Sequence, residues 1–367
     1  MSIKFLHSAD IHIKLGYDDR YRMDLIKFMQ FFLDVVYKDK PDYVFLAGDL
    51  FDKKVPTPAE YSMLYIFINK ILSFGSKIIM TQGNHDEPDN EEADHTLQPL
   101  MELNLQGLYI FDEPGLYNAG EIDVLALPYV YHNKEEGAAT IKRLHDTYTG
   151  NNLYMIAHCW VDGYLNMPTP PTEFVITPEY IKQLTKVKYA ALGHIHTYGT
   201  VNGSHAAYSG SPFRTTWGDT DDVKVILRGR DDGHVVESLI VPVSPLKVVD
   251  FAAFTDADLV SGHMVKLRAH NLSISDMPRL EEVKNKFLAL NNVVNVDKQL
   301  KPITYIKAEG AAKGVTIDEF LDDYVKKNDI VASKAKIIGV LEKIMTGQIT
   351  TGASPFTIEE LDLGDKK

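Results

Sequence analysis

Short apolar runs alternate with polar clusters over the first two-thirds of the chain, and their spacing predicts a layered α/β protein. Residues 3–6, 43–47, 77–81, 153–157 and 189–192 form brief stretches rich in Val, Ile, Phe and Tyr, bounded by Gly or polar residues. That is the pattern of strands covered on both faces. Helical segments separate the first three, which implies crossovers and a partly parallel sheet. One of them, residues 58–74, distributes Tyr61, Met63, Leu64, Tyr65, Ile66, Phe67, Ile68, Ile71 and Leu72 around nearly its whole circumference. A helix apolar all round is buried on more than one side. The sheet takes one face. A second subunit, a capping unit or a following helix over residues 94–105 accounts equally for the other.

Further along, residues 223–228 and 234–241 alternate around Asp231-Asp232-Gly233 as a hairpin and finish a first domain, residues 1–247. An extended stretch at 264–269, a helix at 278–290 carrying Leu280, Val283, Phe287 and Leu290 on one face, and an extended stretch at 293–296 read as a small α/β unit within 248–308. In the last segment, 309–367, Ile317, Phe320, Leu321, Tyr324 and Val325, then Ile337, Ile338, Leu341, Ile344 and Met345, repeat at helical spacing. Two such amphipathic helices suit a docking element for a partner, or pack back on their own catalytic domain. Residues 359–367 form a charged tail.

The chemistry sits at the ends of the strands. The polar clusters that follow the five apolar runs collect Asp10 and His12, then Asp49, then Asn84, His85 and Asp86, then His158, then His194 and His196. Open α/β sheets place ligands outside the carboxyl ends of their strands, so clusters distant in sequence converge there. Asp10, His12, Asp49, Asn84, His158, His194 and His196 supply the oxygen and imidazole ligands that two divalent cations need. A shared carboxylate would join the pair. Such ions, roughly 3.5–4 Å apart, activate a water and clamp the oxygens of a phosphoryl group. Mixed carboxylate, amide and imidazole ligation suits Mn²⁺, Fe²⁺ or Zn²⁺, and the absence of thiolate ligands argues against a structural zinc cage. His85 stands next to the ligands, and imidazole is the side chain best suited to act as a general acid near neutrality.

The sequences Asp10-Ile11-His12, Gly48-Asp49-Leu50-Phe51-Asp52, Gly83-Asn84-His85-Asp86, Ala157-His158 and Gly193-His194-Ile195-His196 resemble the motif set of the calcineurin-like metallophosphoesterases. With Ser8-Ala9-Asp10-Ile11-His12 and Leu15-Gly16-Tyr17, the chain resembles the SbcD-type DNA repair and recombination nucleases, bacterial or phage. That resemblance implies a metallophosphoesterase sandwich with a small capping domain, two Mn²⁺ ions (Mg²⁺, Fe²⁺ or Zn²⁺ as alternatives), and a 3′ to 5′ exonuclease acting on duplex DNA with endonuclease activity near ends or on single strands. It assigns Asp10, His12 and His196 to one metal, and Asn84, His158 and His194 to the other, with Asp49 bridging. His85 becomes the catalytic histidine that helps protonate the departing 3′ oxygen, and Asp86 the carboxylate that orients it. Asp52 stands where some relatives carry a second histidine. The resemblance further implies a homodimer formed through helices of the catalytic domain, and an SbcC-type ABC ATPase whose coiled coil binds the C-terminal helices.

Composition modifies this picture at one point. A net charge of −13 opposes a simple DNA-binding surface, because phosphate contacts favour basic ones. Bound cations add local positive charge, and Lys14, Tyr17, Arg20, Arg22, Lys53, Lys54 and Arg214 are the candidate DNA contacts. The single cysteine, Cys159, excludes an internal disulfide and fits a reducing, cytoplasmic location, in the host if the chain is phage-encoded. The first residues enter a strand without an apolar leader, and no apolar run is long enough to span a membrane. A phosphatase or phosphodiesterase acting on a small phosphoester is the alternative. Against the protein phosphatases, which usually continue the second motif with Val-Asp-Arg-Gly and place Glu after Asn-His, this chain has Phe51-Asp52-Lys53-Lys54 and Asp86. A scaffold that has lost its metals is the third class, disfavoured because every expected ligand is present.

Overall fold

The structure, a computed structural model, describes residues 2–16, 19–87, 95–129, 134–164, 175–201, 203–217, 223–230 and 235–300. Two six-stranded sheets lie face to face. The first comprises β1 (Lys4–Ser8), β2 (Tyr43–Ala47), β3 (Lys77–Thr81) and β4 (Leu108–Phe111), all parallel, with β13 (Val225–Arg230) antiparallel beside β1 and β14 (Val235–Ile240) antiparallel beside β13 at the edge. The second comprises β5 (Gly115–Ala119), β6 (Ile122–Leu127), β7 (Leu153–His158), β10 (Val187–Gly193), β11 (Gly199–Thr200) and β12 (Ala206–Tyr208). A short parallel pair, β8 (Trp160–Val161) and β9 (Val175–Ile176), stands apart.

Alternation along each strand builds the layers. Phe5, Tyr43, Phe45, Ile79, Tyr154, Ile156 and Tyr189 fill the space between the two sheets, whereas Leu6, Val44, Leu46, Ile78 and Met80 face the helices outside the first. Those helices are α1 (Asp19–Asp39) and α2 (Pro58–Ser73); α4 (Lys134–Thr147) and α5 (Pro178–Gln183) cover the second sheet. The sheets are therefore buried on both sides, which explains why their strands read as continuous apolar runs rather than alternating ones. Helix α2 starts where Thr57 accepts from the Glu60 amide and Pro58 pre-sets the first turn. The Glu60 carboxylate accepts in return from the Thr57 amide at 2.7 Å and from the Leu15 amide at 2.9 Å, so the helix start is pinned to the loop that follows His12. On its far side Tyr65 and Ile66 are exposed.

The helix expected over residues 94–105 is a correction. Among the described residues of that stretch, which begin at His95, only α3 (Gln98–Glu102) forms, because the residues just before it are committed elsewhere: Thr96 donates to the Lys54 carbonyl at 2.9 Å and accepts, at its own carbonyl, the Tyr61 hydroxyl. Residues 246–300 form a separate three-stranded parallel sheet, β15 (Leu246–Asp250), β16 (Met264–Leu272) and β17 (Val293–Leu300), with α6 (Met277–Leu288) packed on it through Leu280, Val283 and Phe287. The expected amphipathic helices beyond residue 308, Tyr17, and the Asp231-Asp232-Gly233 turn lie outside the described residues. Among the described residues no helix is long and apolar enough to cross a membrane.

Candidate active site

Strands β1, β2, β3, β7 and β10 end side by side, and the loop after each delivers one cluster. The loops after β1 and β2 stay paired past the strands: the amides of Asp10, His12 and Ile13 donate to the carbonyls of Gly48, Asp49 and Leu50 at 3.0, 2.9 and 2.8 Å. To aim their side chains from these turns, Asp10, His12, Asp49 and His194 all adopt positive φ, at 53°, 49°, 50° and 102°. Left-handed backbone at a residue other than glycine is uncommon, costs on the order of 1–3 kcal/mol each, and gathers at functional sites. Four of the ligand candidates share it.

Seven side chains converge. The Nε2 atoms of His12 and His196 lie 3.1 Å apart, and Asp10, His12 and His196 bring ligand atoms within 4.8 Å of one another. On the other side Asn84 Oδ1 lies 3.1 Å from His158 Nε2 and 3.0 Å from His194 Nδ1. Asp49 stands between the groups, its Oδ2 lying 3.7 Å from His12 Nε2 and 3.5 Å from His158 Nε2, while Oδ1 accepts the His85 amide at 2.9 Å. Crowding of nitrogens and carboxylate oxygens toward common points, with few protons to share among them, is the arrangement of a cation site rather than of a hydrogen-bonded cluster. These residues fit two divalent cations.

Backbone groups hold the rings. His158 Nδ1 donates to the Ala47 carbonyl at 2.8 Å, which leaves Nε2 facing inward. Gly193 permits that contact between sheets, since a Cβ there would lie 1.8 Å from the Ala47 carbonyl oxygen and 2.9 Å from His158 Nδ1. At Gly83 a Cβ would meet Asp49 Oδ1 at 2.1 Å. Gly83 and Gly193 thus make room for Asp49 and for the carbonyl that holds His158. Sequence reasoning missed three further neighbours: Thr215 Oγ1 lies 3.2 Å from His196 Nδ1, Lys224 donates to the His196 carbonyl at 3.2 Å, and the ring of Tyr129 lies 5.8 Å from that of His194. Trp160, which opens the Pro-rich stretch 160–177 that the sequence places beside the site, brings its ring 6.1 Å from that of His194.

Burial and charge oppose each other here. Burial pushes the Asp49 carboxyl up, but the imidazoles of His158 and His12 outweigh it and hold the group below the usual carboxylate range. Asp10, for which burial wins, is raised. Burial lowers His12 to about 3, whereas Asp49 more than offsets burial at His158 and lifts it to about 9. Asp49 is thus held as an anion among the imidazoles around it.

His85 sits at the partly open rim, with Nδ1 donating to the Asp52 carbonyl at 2.9 Å and its ring centroid 4.8 Å from that of His12. Asp86 is a correction: it does not orient His85. Its buried carboxylate accepts the Gly83 amide at 2.9 Å and the Leu50 and Phe51 amides at 3.4 Å, bracing the Gly83–Asp86 turn against the loop after β2. The reason is local. The Asp86 amide already donates to the Gly83 carbonyl at 3.1 Å, which closes a turn that directs the carboxylate back to the turn's own start. The Asp52 carbonyl orients His85 instead.

The candidate DNA contacts divide. Lys14 is paired with Asp52 at 2.8 Å on the rim, and Arg22, Lys53 and Lys54 are at least partly exposed. Arg20 donates to Ser244 Oγ and the Asn291 carbonyl. Arg214 is a correction, for it is buried rather than exposed and donates to the Ser244 carbonyl at 2.9 Å, which turns the guanidinium toward the protein interior.

The calcineurin-like phosphoesterase pattern matches residues 3–229. The chain belongs to the calcineurin-like phosphoesterase family. It is similar to the DNA double-strand break repair protein Mre11 of Aeropyrum pernix, 29% identical over 209 residues that cover 53% of this chain and 49% of that protein. It is also similar to the D component of nuclease SbcCD from Staphylococcus epidermidis, 21% identical over 321 residues that cover 80% of this chain and 86% of that one. The match to Mre11 thus spans about half of that protein's length. A solved structure from Thermus thermophilus, TT1561, covers 66% of this chain and 100% of its own at a TM-score of 0.44 and 11% identity.

Proposed function

We propose that this chain is a DNA nuclease that hydrolyses phosphodiester bonds with two divalent cations, Mn²⁺ first among them, held by Asp10, His12 and His196 on one side and Asn84, His158 and His194 on the other, with Asp49 shared. The observation that carries the reading is Asp49 Oδ2, which lies between His12 and His158 and so between the two halves of the ligand set. Two cations so placed would supply Lewis-acid activation of water and neutralise the charge that builds on the phosphoryl oxygens.

The protein's own groups do the rest. His85 Nδ1 keeps its proton on the Asp52 carbonyl, so Nε2 is the atom that carries a proton to or from the reacting centre. The ring so fixed, without a carboxylate partner, supports His85 as the general acid toward the departing oxygen. Lys14, held by Asp52 on the same rim, puts a positive charge near the phosphate backbone of a bound strand. Likeness to two proteins of DNA repair and nuclease function favours DNA over a small phosphoester. The products would be released 3′ to 5′ from duplex ends, with endonuclease action near ends or on single strands. An ABC ATPase of SbcC type, docking on the segment 309–367, and a second copy of the chain on the exposed outer side of α2 complete the assembly in the cytoplasm, with residues 248–308 orienting DNA. The net charge of −13 is consistent with such help in holding DNA.

His12, Asp49 and His85 also bring ligand atoms within 4.8 Å of one another, which favours a second role for His85 as a ligand. Linear duplex DNA labelled at the 3′ end, incubated with and without Mn²⁺ alongside His85→Ala and a generic phosphodiester, tests both. Metal-dependent release of nucleotides, lost in a His85→Ala protein that still binds two ions, supports the nuclease with His85 as acid. Loss of an ion with the ring makes it a ligand. Hydrolysis of the generic substrate alone overturns the DNA assignment.

A further inference from the structure

Beyond the ligands themselves, we propose that the segment from Ser209 to Trp217 is a strut between the accessory sheet and His196, so that the seating of the sheet sets how tightly the cation on His196, His12 and Asp10 is held. The proposal rests on the two-cation reading of the site. At one end the segment grips the ligand. Thr215 Oγ1 lies 3.2 Å from His196 Nδ1, the Ser211 amide donates to the His196 carbonyl at 3.1 Å, and Lys224 donates to that carbonyl at 3.2 Å and to Ser211 Oγ at 3.3 Å. Gly210 adopts φ +70°, and a Cβ there would lie 2.6 Å from the His196 carbonyl oxygen, so glycine lets the segment lie this close.

At its other end the same segment grips the junction with the accessory sheet. Arg214, adjacent to Thr215, donates to the carbonyl of Ser244, the residue that leads into β15 through Pro245. Ser244 is clamped in turn: its amide and hydroxyl donate to the buried carboxylate of Asp24 at 3.1 and 2.8 Å, and Arg20 donates to its Oγ at 3.1 Å while reaching the Asn291 carbonyl, just before β17, at 2.9 Å. A second tie runs from Lys266 in β16 to the Trp217 carbonyl at 3.2 Å. Ser211, Arg214, Thr215, Lys224 and Ser244 are all buried. Close-packed interiors have little slack, so a shift of the accessory sheet moves Arg214 and, through the next residue, Thr215. The outer nitrogen's partner fixes how a ligating imidazole is turned, and losing such a partner weakens metal binding about 10–100-fold.

The test is Mn²⁺ titration of the full chain by calorimetry, with thermal unfolding of each variant. Thr215→Val is expected to weaken one of two ions by about 10–100-fold. Lys266→Met, at a partly exposed position that tolerates change, is expected to weaken the same ion by about threefold or more. In the double variant the effects should fall short of the product, because both act through one segment. Arg214→Gln should match Lys266→Met in which ion it affects. Wild-type affinity for both ions in Lys266→Met and in folded Arg214→Gln, or effects that simply multiply, would overturn the strut. His196→Ala separates this from the underlying reading. If it still binds two ions as the wild type does, the two-cation site itself fails.

Discussion

His7, just before the ligands on β1, is buried in the layer between the sheets with its Nδ1 2.8 Å from the Tyr189 hydroxyl. Burial lowers its pKa from 6.5 to about 3, opposed only in part by the Leu192 backbone. Unfolded, the ring regains its ordinary value and binds a proton that the folded protein excludes. The contribution is therefore fully present above pH 6.5 and is lost as pH falls through the window from 6.5 to about 3. Each pH step of one across that window removes about 1.36 kcal/mol, so the loss between pH 7 and pH 4 amounts to about 3 kcal/mol. His7→Gln keeps a polar neighbour for Tyr189 and removes the titration. Urea unfolding in EDTA, followed by fluorescence at several pH values, gives the stability of each protein. Carboxylates common to both cancel in the difference. The wild type should lose about 3 kcal/mol more than His7→Gln between those limits, and parallel profiles would refute the reasoning.

Other expectations follow from single contacts. Asp86→Ala leaves three buried backbone amides without their acceptor and should lower stability by about 3 kcal/mol in urea unfolding; an orienting role for Asp86 would instead leave stability unchanged and reduce turnover alone. Gly193→Ala drives a methyl into the Ala47 carbonyl that holds His158, and calorimetry should find weakened Mn²⁺ binding together with lost cleavage. Thr57→Ala removes one half of the capping box on α2 and should cost about 1 kcal/mol of stability, with Mn²⁺ binding retained.

Much of this architecture is legible in the sequence because the doubly covered strands leave continuous apolar runs, and because each ligand cluster follows one of them directly. Helix α2 is equally plain, with Thr57, Pro58 and Glu60 written as a start signal. What escapes is whatever depends on backbone atoms or on where a side chain turns. The Asp52 carbonyl that holds His85 and the Ala47 carbonyl that holds His158 carry no residue-type signal. Asp86 is adjacent to His85 in sequence, yet its carboxylate returns to Gly83. Arg214 reads as a surface charge and is instead spent inside on Ser244. The helix expected at 94–105 shortens because Thr96 and Tyr61 bind each other, a tertiary contact that local propensity does not register.

Mn²⁺ stoichiometry and cleavage of 3′-labelled duplex, measured on the same preparations of the wild type, Asp49→Asn and His85→Ala, test the central claim most directly. The account predicts two ions per chain and nucleotide release for the wild type, loss of metal and of cleavage for Asp49→Asn, and two ions without cleavage for His85→Ala. A wild type that binds no more than one ion, or an Asp49→Asn protein that cleaves normally, would contradict it.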